Sequence, residues 1–201
     1  MSASKIILAA VLGGIAMFLW GAVDHDVLPL YNNTLQKFTN EEAVTQAIAS
    51  GAPASGTYFI PYMANLPPGA TETEKKAAEQ TMEERSQKGP QMFAFVRVGD
   101  FGSFGVHLLG ELLKDIVATF IFVWLLVGAG VSSTRNRIVF GIALGLVVIF
   151  SETMSHWIWY DAGFLYTLTA AINQVGGFVV ASLVIAKILP TAPAVGNSMN
   201  A

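Results

Sequence analysis

Cysteine is missing from this 201-residue chain, which excludes a disulfide framework, a thiolate-held zinc or iron–sulfur site, and thiol chemistry of any kind. Charge is nearly as scarce. Only 12% of the residues are Asp, Glu, Lys or Arg, against about 25% in an average soluble domain, and the net charge is −3. With no basic stripe and an acidic balance, nucleic acid is excluded as a partner. A Gly-rich phosphate cradle and a Ser/His/Asp set at recognisable spacing are absent too, so no motif names a reaction. What the chain does have is apolar residues, 53% of the total, and this composition points to a membrane protein.

Four apolar stretches are long enough to cross a hydrocarbon core, which takes about 20 helical residues: Ile6–Val23, Val106–Gly130, Ile138–Trp159 and Phe164–Leu189. Lys5 before the first gives it the look of a secretory signal, but Trp20 and Gly21 occupy the −3 positions for cuts after Ala22 and Val23, and no good small-x-small pair follows. It reads as an uncleaved anchor. The expected fold is a mostly α membrane protein, with four transmembrane helices and a small α+β extracytoplasmic domain. Residues 1–23 form the first helix, 24–105 the outer domain, 106–189 a three-helix segment and 190–201 a cytoplasmic tail.

Orientation follows from the short flanks, because cytoplasmic segments retain Lys and Arg. Lys5, Arg135, Arg137 and Lys187 fall on one side of a four-helix path, and no acidic residue joins them. All fourteen carboxylates lie on the other side or near that surface. Both termini are therefore expected in the cytoplasm, in a bacterial inner membrane, with the long first loop outside.

That loop is too long for a simple connection and carries its own signals. Asn40 before "EEAVTQAIAS" and Gly51 after it outline a capped helix. "GTYFIPYM" has strand composition, with Pro61 moving it to an edge. Thr71 and Glu74 form a capping box ahead of a charged helix that Gly89-Pro90 stops, and "QMFAFVRV" reads as a second strand. The α-β-α-β order lets the two strands pair, although such a unit is small for an independent core. The charge run from Glu72 to Lys88 reads as a solvated face.

Polar residues gather at the outer ends of the spans. Asp24, His25 and Asp26 follow the first, Glu152 and His156 sit in the outer third of the third, and His107, Glu111 and Asp115 share a face of the second, beside Lys114. Charges within a bilayer rarely face lipid, so Glu152, Lys114 and Asp115 are expected to turn inward and meet. Three readings stay open: a structural ion-pair network locking the second and third spans; a ligand or metal site, with His107, Glu111, Glu152 and His156 as candidate ligands; and a proton or substrate path. Asn173 and Gln174 add polar atoms deeper in the fourth span, where Tyr166, Thr169 and Asn173 share a face, as interhelical glue or as an inward extension of the layer. Small residues four apart, Ala9/Gly13 and Ala10/Gly14, Gly141/Gly145, and Gly177/Ala181, suit close helix packing, within one chain or between two. Trp20, Trp157, Trp159 and Tyr160 read as an aromatic belt.

The phrases "MFLWGAVDHDVLPLYN", "ASGTYFIPY", "KGPQMFAF" and "WIWYDAGFLYTL", in that order, resemble a group of uncharacterised bacterial four-span membrane proteins with one extracytoplasmic domain after the first helix. The resemblance implies this architecture and no activity or functional residue. Two function classes follow from the residues. One is a non-catalytic accessory or assembly subunit that partners the lipid bilayer and other membrane subunits. The other is a metal- or cofactor-binding membrane protein with a His/carboxylate site near the outer surface, its cofactor unidentified.

Overall fold

A computed structural model describes residues 2–28, 30–62 and 65–190. In chain order its elements are α1 (Ala3–Ala22), α2 (Glu41–Gly51), β1 (Gly56–Ile60), α3 (Glu72–Lys88), β2 (Met92–Val96), α4 (Phe104–Gly128), α5 (Thr134–Val148), α6 (Met154–Tyr160) and α7 (Phe164–Ile188). They fall into two units, Met1–Leu35 with Ser103–Ala201, and Gln36–Gly102. Apart from Pro190, the expected tail at 190–201 lies outside the described residues, as does Met63 at the end of the "GTYFIPYM" run.

In the first unit, Ala3–Val27, Thr134–Tyr160 and Phe164–Ile188 are helices long and apolar enough to cross a membrane. The first continues past α1 in a π-helical turn, Val23–Val27, so Asp24 to Leu35 groups with the helices instead of the outer segment that the fall in hydropathy at residue 24 suggests. The second holds α5 and α6 joined by another π-helical turn, Ile149–Thr153. α4 matches them in length but carries Glu111, Lys114 and Asp115 in its first half.

Glycine determines how these helices meet. A Cβ on Gly14 would come within 2.5 Å of the Ile116 Cα, and one on Gly13 within 2.7 Å of Thr119 Cγ2, so α1 lies almost backbone to backbone against α4. Gly177 faces Met17 across the α1–α7 contact, while Gly141 faces Ser182 and Gly145 faces Val175 across the α5–α7 contact. α1 therefore runs antiparallel to α4 and α7, and α5 antiparallel to α7. The small-residue faces are occupied within the chain. The buried core they enclose includes Ala9, Ala10, Phe122, Phe178, Ala181 and Ile185.

Arg137 adds a polar clasp. Only 2% exposed, it donates from Nε to the Val131 carbonyl at 3.3 Å, from Nη1 to that of Leu189 at 3.0 Å and from Nη2 to that of Pro190 at 2.8 Å. The end of α7 leaves carbonyls without helical partners, and the guanidinium fork meets two that follow it.

The second unit is built as its caps dictate. Asn40 accepts the Ala43 amide at 3.0 Å to start α2, and the Thr71/Glu74 capping box starts α3. β1 and β2 pair antiparallel, with Thr57 opposite Phe95 and Phe59 opposite Phe93. Pro61 follows the last residue of β1, where it removes no ladder donor. Neither α2 nor α3 contains a buried residue, and Phe95 is 77% exposed.

Candidate functional site

The first unit contains a cavity of about 820 Å3 among α1, its π-helical extension, α4 and α7. Its apolar wall includes Met17, Phe18, Phe104, Leu108 and Phe178, and its polar wall includes Asp26, Glu111, Lys114, Asp115, Asn173 and Gln174. Trp20, His25 and Tyr31 supply rings.

Asp24 sits behind this wall. It is fully buried, and its Oδ2 accepts the Asn173 side-chain amide at 2.8 Å. Its Oδ1 is buried without a hydrogen-bond partner among the described residues. An α-helix that widens to a π turn is a common feature of functional sites, and here the turn carries Asp24, His25 and Asp26. Trp20 Nε1 donates to the Asn173 carbonyl at 3.1 Å, so Asn173 is held from both its side chain and its backbone. The His25 ring stacks on Tyr31, with centroids 5.1 Å apart and planes 16° from parallel, and Tyr31 meets Tyr166 edge-on at 6.1 Å. Burial pushes the Tyr31 phenol above its usual pKa, and the Asp24 charge and Tyr166 push in the same direction.

Across the cavity, Lys114 forms an ion pair with Glu111 one turn away and a second, at 3.5 Å, with Asp115. Thr119, one turn beyond Asp115, also has a buried side-chain oxygen without a partner among the described residues.

The polar layer expected from sequence therefore divides. Asp24 and Asn173 are brought together, and His25, Asp26, Glu111, Lys114 and Asp115 share the cavity. Glu152, His156 and His107 are not among its described lining residues. Glu152 does not turn inward to meet Lys114. It is exposed, and the π-helical turn accounts for it: each residue advances an α-helix by about 100°, Ile149 still continues the buried face of Gly141 and Gly145, and the wider turn that begins there rotates Glu152 away from that face. Among the described residues the Lys114 ion pairs stay within α4 and do not reach the third span. His156 lies 6.0 Å from the Tyr160 ring. Among the described residues, no three His, Asp or Glu side chains come together in a group that could hold a metal ion.

Trp20 also departs from expectation. Trp157, Trp159 and Tyr160 are exposed, as a belt requires, whereas Trp20 turns in over Gly176 and Gly177. The adjacent glycines of α7 were a sequence signal for it, since a large ring at close approach needs a wall without side chains. Tyr31 and Arg137 had no such signal.

No known protein family, curated protein or solved structure matches the chain.

Proposed function

We propose that this chain is a non-catalytic accessory or assembly subunit of a larger complex in a bacterial inner membrane. In this reading α4 is a fourth span, its Glu111, Lys114 and Asp115 turned partly to the cavity and to one another. Both termini face the cytoplasm, because Lys5, Arg135, Arg137 and Lys187 lie at one end of the antiparallel helices, and the Gln36–Gly102 unit is extracytoplasmic.

One observation carries the assignment: the second unit lacks enough buried surface to be an end in itself. A lone two-stranded sheet is marginal in water, and here Phe93 and Phe95 stack edge-on at 5.2 Å on one face while Phe95 remains 77% exposed. Aromatic groups presented in this way characterise surfaces that meet another protein. The small-residue faces are used up inside the chain, so an outer partner surface fits better than a glycine-lined helix seam.

Gentle solubilisation of native membranes tests the proposal. The chain should migrate in a particle much heavier than its 21.4 kDa plus detergent, and Phe95→Ser should release it while its own thermal unfolding is unchanged. A stable monomer in the same extract would overturn the reading.

A further inference from the structure

Charge around the cavity is one-sided. Asp26, Glu111 and Asp115 line it, while Lys114 is the single Lys or Arg among its described lining residues and is already engaged by Glu111 and Asp115. That leaves a formal excess of two negative charges. Asp24 adds another carboxylate immediately behind, bound to the lining residue Asn173, and one of its oxygens has no partner among the described residues. Asp24 and Asp115 are buried, where charge is screened far less than in water, while Asp26, Glu111 and Lys114 stand at the exposed side. Trp20, Tyr31 and Phe104 add aromatic rings to the lining, and ring faces attract cations. Met17, Leu108 and Phe178 make the rest apolar. The volume, about 820 Å3, falls in the range of roughly 300–1,000 Å3 usual for small-molecule sites.

We propose that this cavity binds a hydrophobic organic cation, a molecule with an apolar body and a positively charged amine-type head, supplied either as a free amphiphile or as the amine headgroup of a lipid. The apolar body packs among Met17, Leu108 and Phe178. The head compensates the carboxylates that Lys114 leaves unmatched, with Asp24 contributing through the Asn173 wall. Three features act together: size, apolar lining and negative sign. A neutral amphiphile would leave the charge unanswered, and an anion would add to it. The inference does not depend on the accessory-subunit reading, because every residue it uses lies in the helical unit.

The probe is tetraphenylphosphonium, with tetraphenylborate as a molecule of similar shape and opposite charge, each measured by equilibrium dialysis of the full chain in nonionic detergent against a detergent blank. The phosphonium should bind saturably at one per chain, and the borate at least about tenfold more weakly. Asp24→Asn and Asp26→Asn should each weaken phosphonium binding by roughly threefold to tenfold, and Lys114→Met, which removes a positive charge, should tighten it by a similar factor. A tightening that keeps one phosphonium per chain and an unchanged unfolding midpoint does not come from exposed apolar surface, so it keeps the test decisive even if Asp24→Asn fails to fold. Equal or stronger binding of the borate overturns the proposal, as does weaker phosphonium binding in Lys114→Met at an unchanged unfolding midpoint. Displacement of the probe by lysyl-phosphatidylglycerol, a lipid whose amine-bearing headgroup has a net positive charge, supports a lipid headgroup as the occupant, and displacement by dodecylammonium alone supports a free amphiphile. Failure of both to displace it overturns the proposal.

Discussion

The two units solve the same folding problem by opposite means. The helical unit brings backbones together at Gly13, Gly14, Gly141 and Gly145 and buries Arg137 against three carbonyls. The Gln36–Gly102 unit relies on caps and one strand pairing, with no buried residue in either of its helices. Membrane interiors offer little hydrophobic drive between helices, so close packing and interhelical hydrogen bonds must hold them. In the second unit local propensity does most of the holding, and local propensity gives small, independent increments. Substitutions should therefore be costly and cooperative in the first unit, mild and local in the second.

The largest expected effect is at Gly14. Gly14→Leu forces a side chain into the Ile116 backbone, and overpacking of this kind costs about 3 kcal/mol or more. Thermal unfolding in detergent should show a large loss or failure to fold. Gly110→Leu, on the same α4 but with nothing within 4 Å of its Cβ position, should leave the midpoint nearly unchanged. Tolerance of Gly14→Leu would break the comparison at its strongest point.

Arg137→Met comes next. It leaves the Val131, Leu189 and Pro190 carbonyls without their donor, at an expected cost of about 2–4 kcal/mol in detergent unfolding. Arg137→Lys should fall between, since an ammonium lacks the fork that spans two carbonyls. Asn173→Leu is smaller. It removes the amide that Asp24 Oδ2 accepts and should cost about 1–3 kcal/mol, as a buried acceptor loses its donor.

The smallest effect belongs to the Gln36–Gly102 unit. Thr71→Ala removes one half of the capping box, and amide exchange within α3 should accelerate by about fivefold with no change in the helical unit. The same cap predicts a pH response. The Thr71 amide and hydroxyl donate to the Glu74 carboxylate and hold its pKa below the usual value. Its contribution is thus fully present above the unfolded value and is lost as pH falls through the lowered folded value. Protection of α3 should decline over that acidic window in the native chain and stay flatter in Thr71→Ala. Cooperative loss of the whole fold in Thr71→Ala would contradict the independence of the two units.

Legibility from sequence followed the range of the interactions. Apolar runs and caps act within a few residues, so the extents of α1, α4, α5 with α6, and α7, and the α-β-α-β order of the second unit, could be read directly. The small-residue pairs marked the right faces, but no periodicity says whether a face meets its own chain. The candidate site was half legible. Asp24 and Asn173 stood out as polar residues in apolar company, yet their pairing spans 149 positions and depends on a π-helical turn that no residue pattern announces. Glu152 was misplaced because it was turned inward on the cost of a charge in lipid alone, with no account of the π-helical turn that contains it. For Lys114 the expected meeting with Asp115 is found, whereas the partner sought on another helix, Glu152, gives way to Glu111 one turn away on its own.

The Arg137 clasp has a consequence for biosynthesis. The guanidinium near the start of α5 accepts its place only when Leu189 emerges, 52 positions later. At a translation rate of about 5–20 residues per second, that is a wait of several seconds. Throughout it, a cation destined for burial lacks two of its three acceptors, and a charge in that condition resists leaving water. The first turn of α5, which carries Arg135 and Arg137, should thus stay in water until the last helix arrives, and only then can the bundle close over Arg137. Insertion order and final packing are coupled through one side chain, so a ribosome stalled short of Leu189 would leave an open bundle with its arginine still in water.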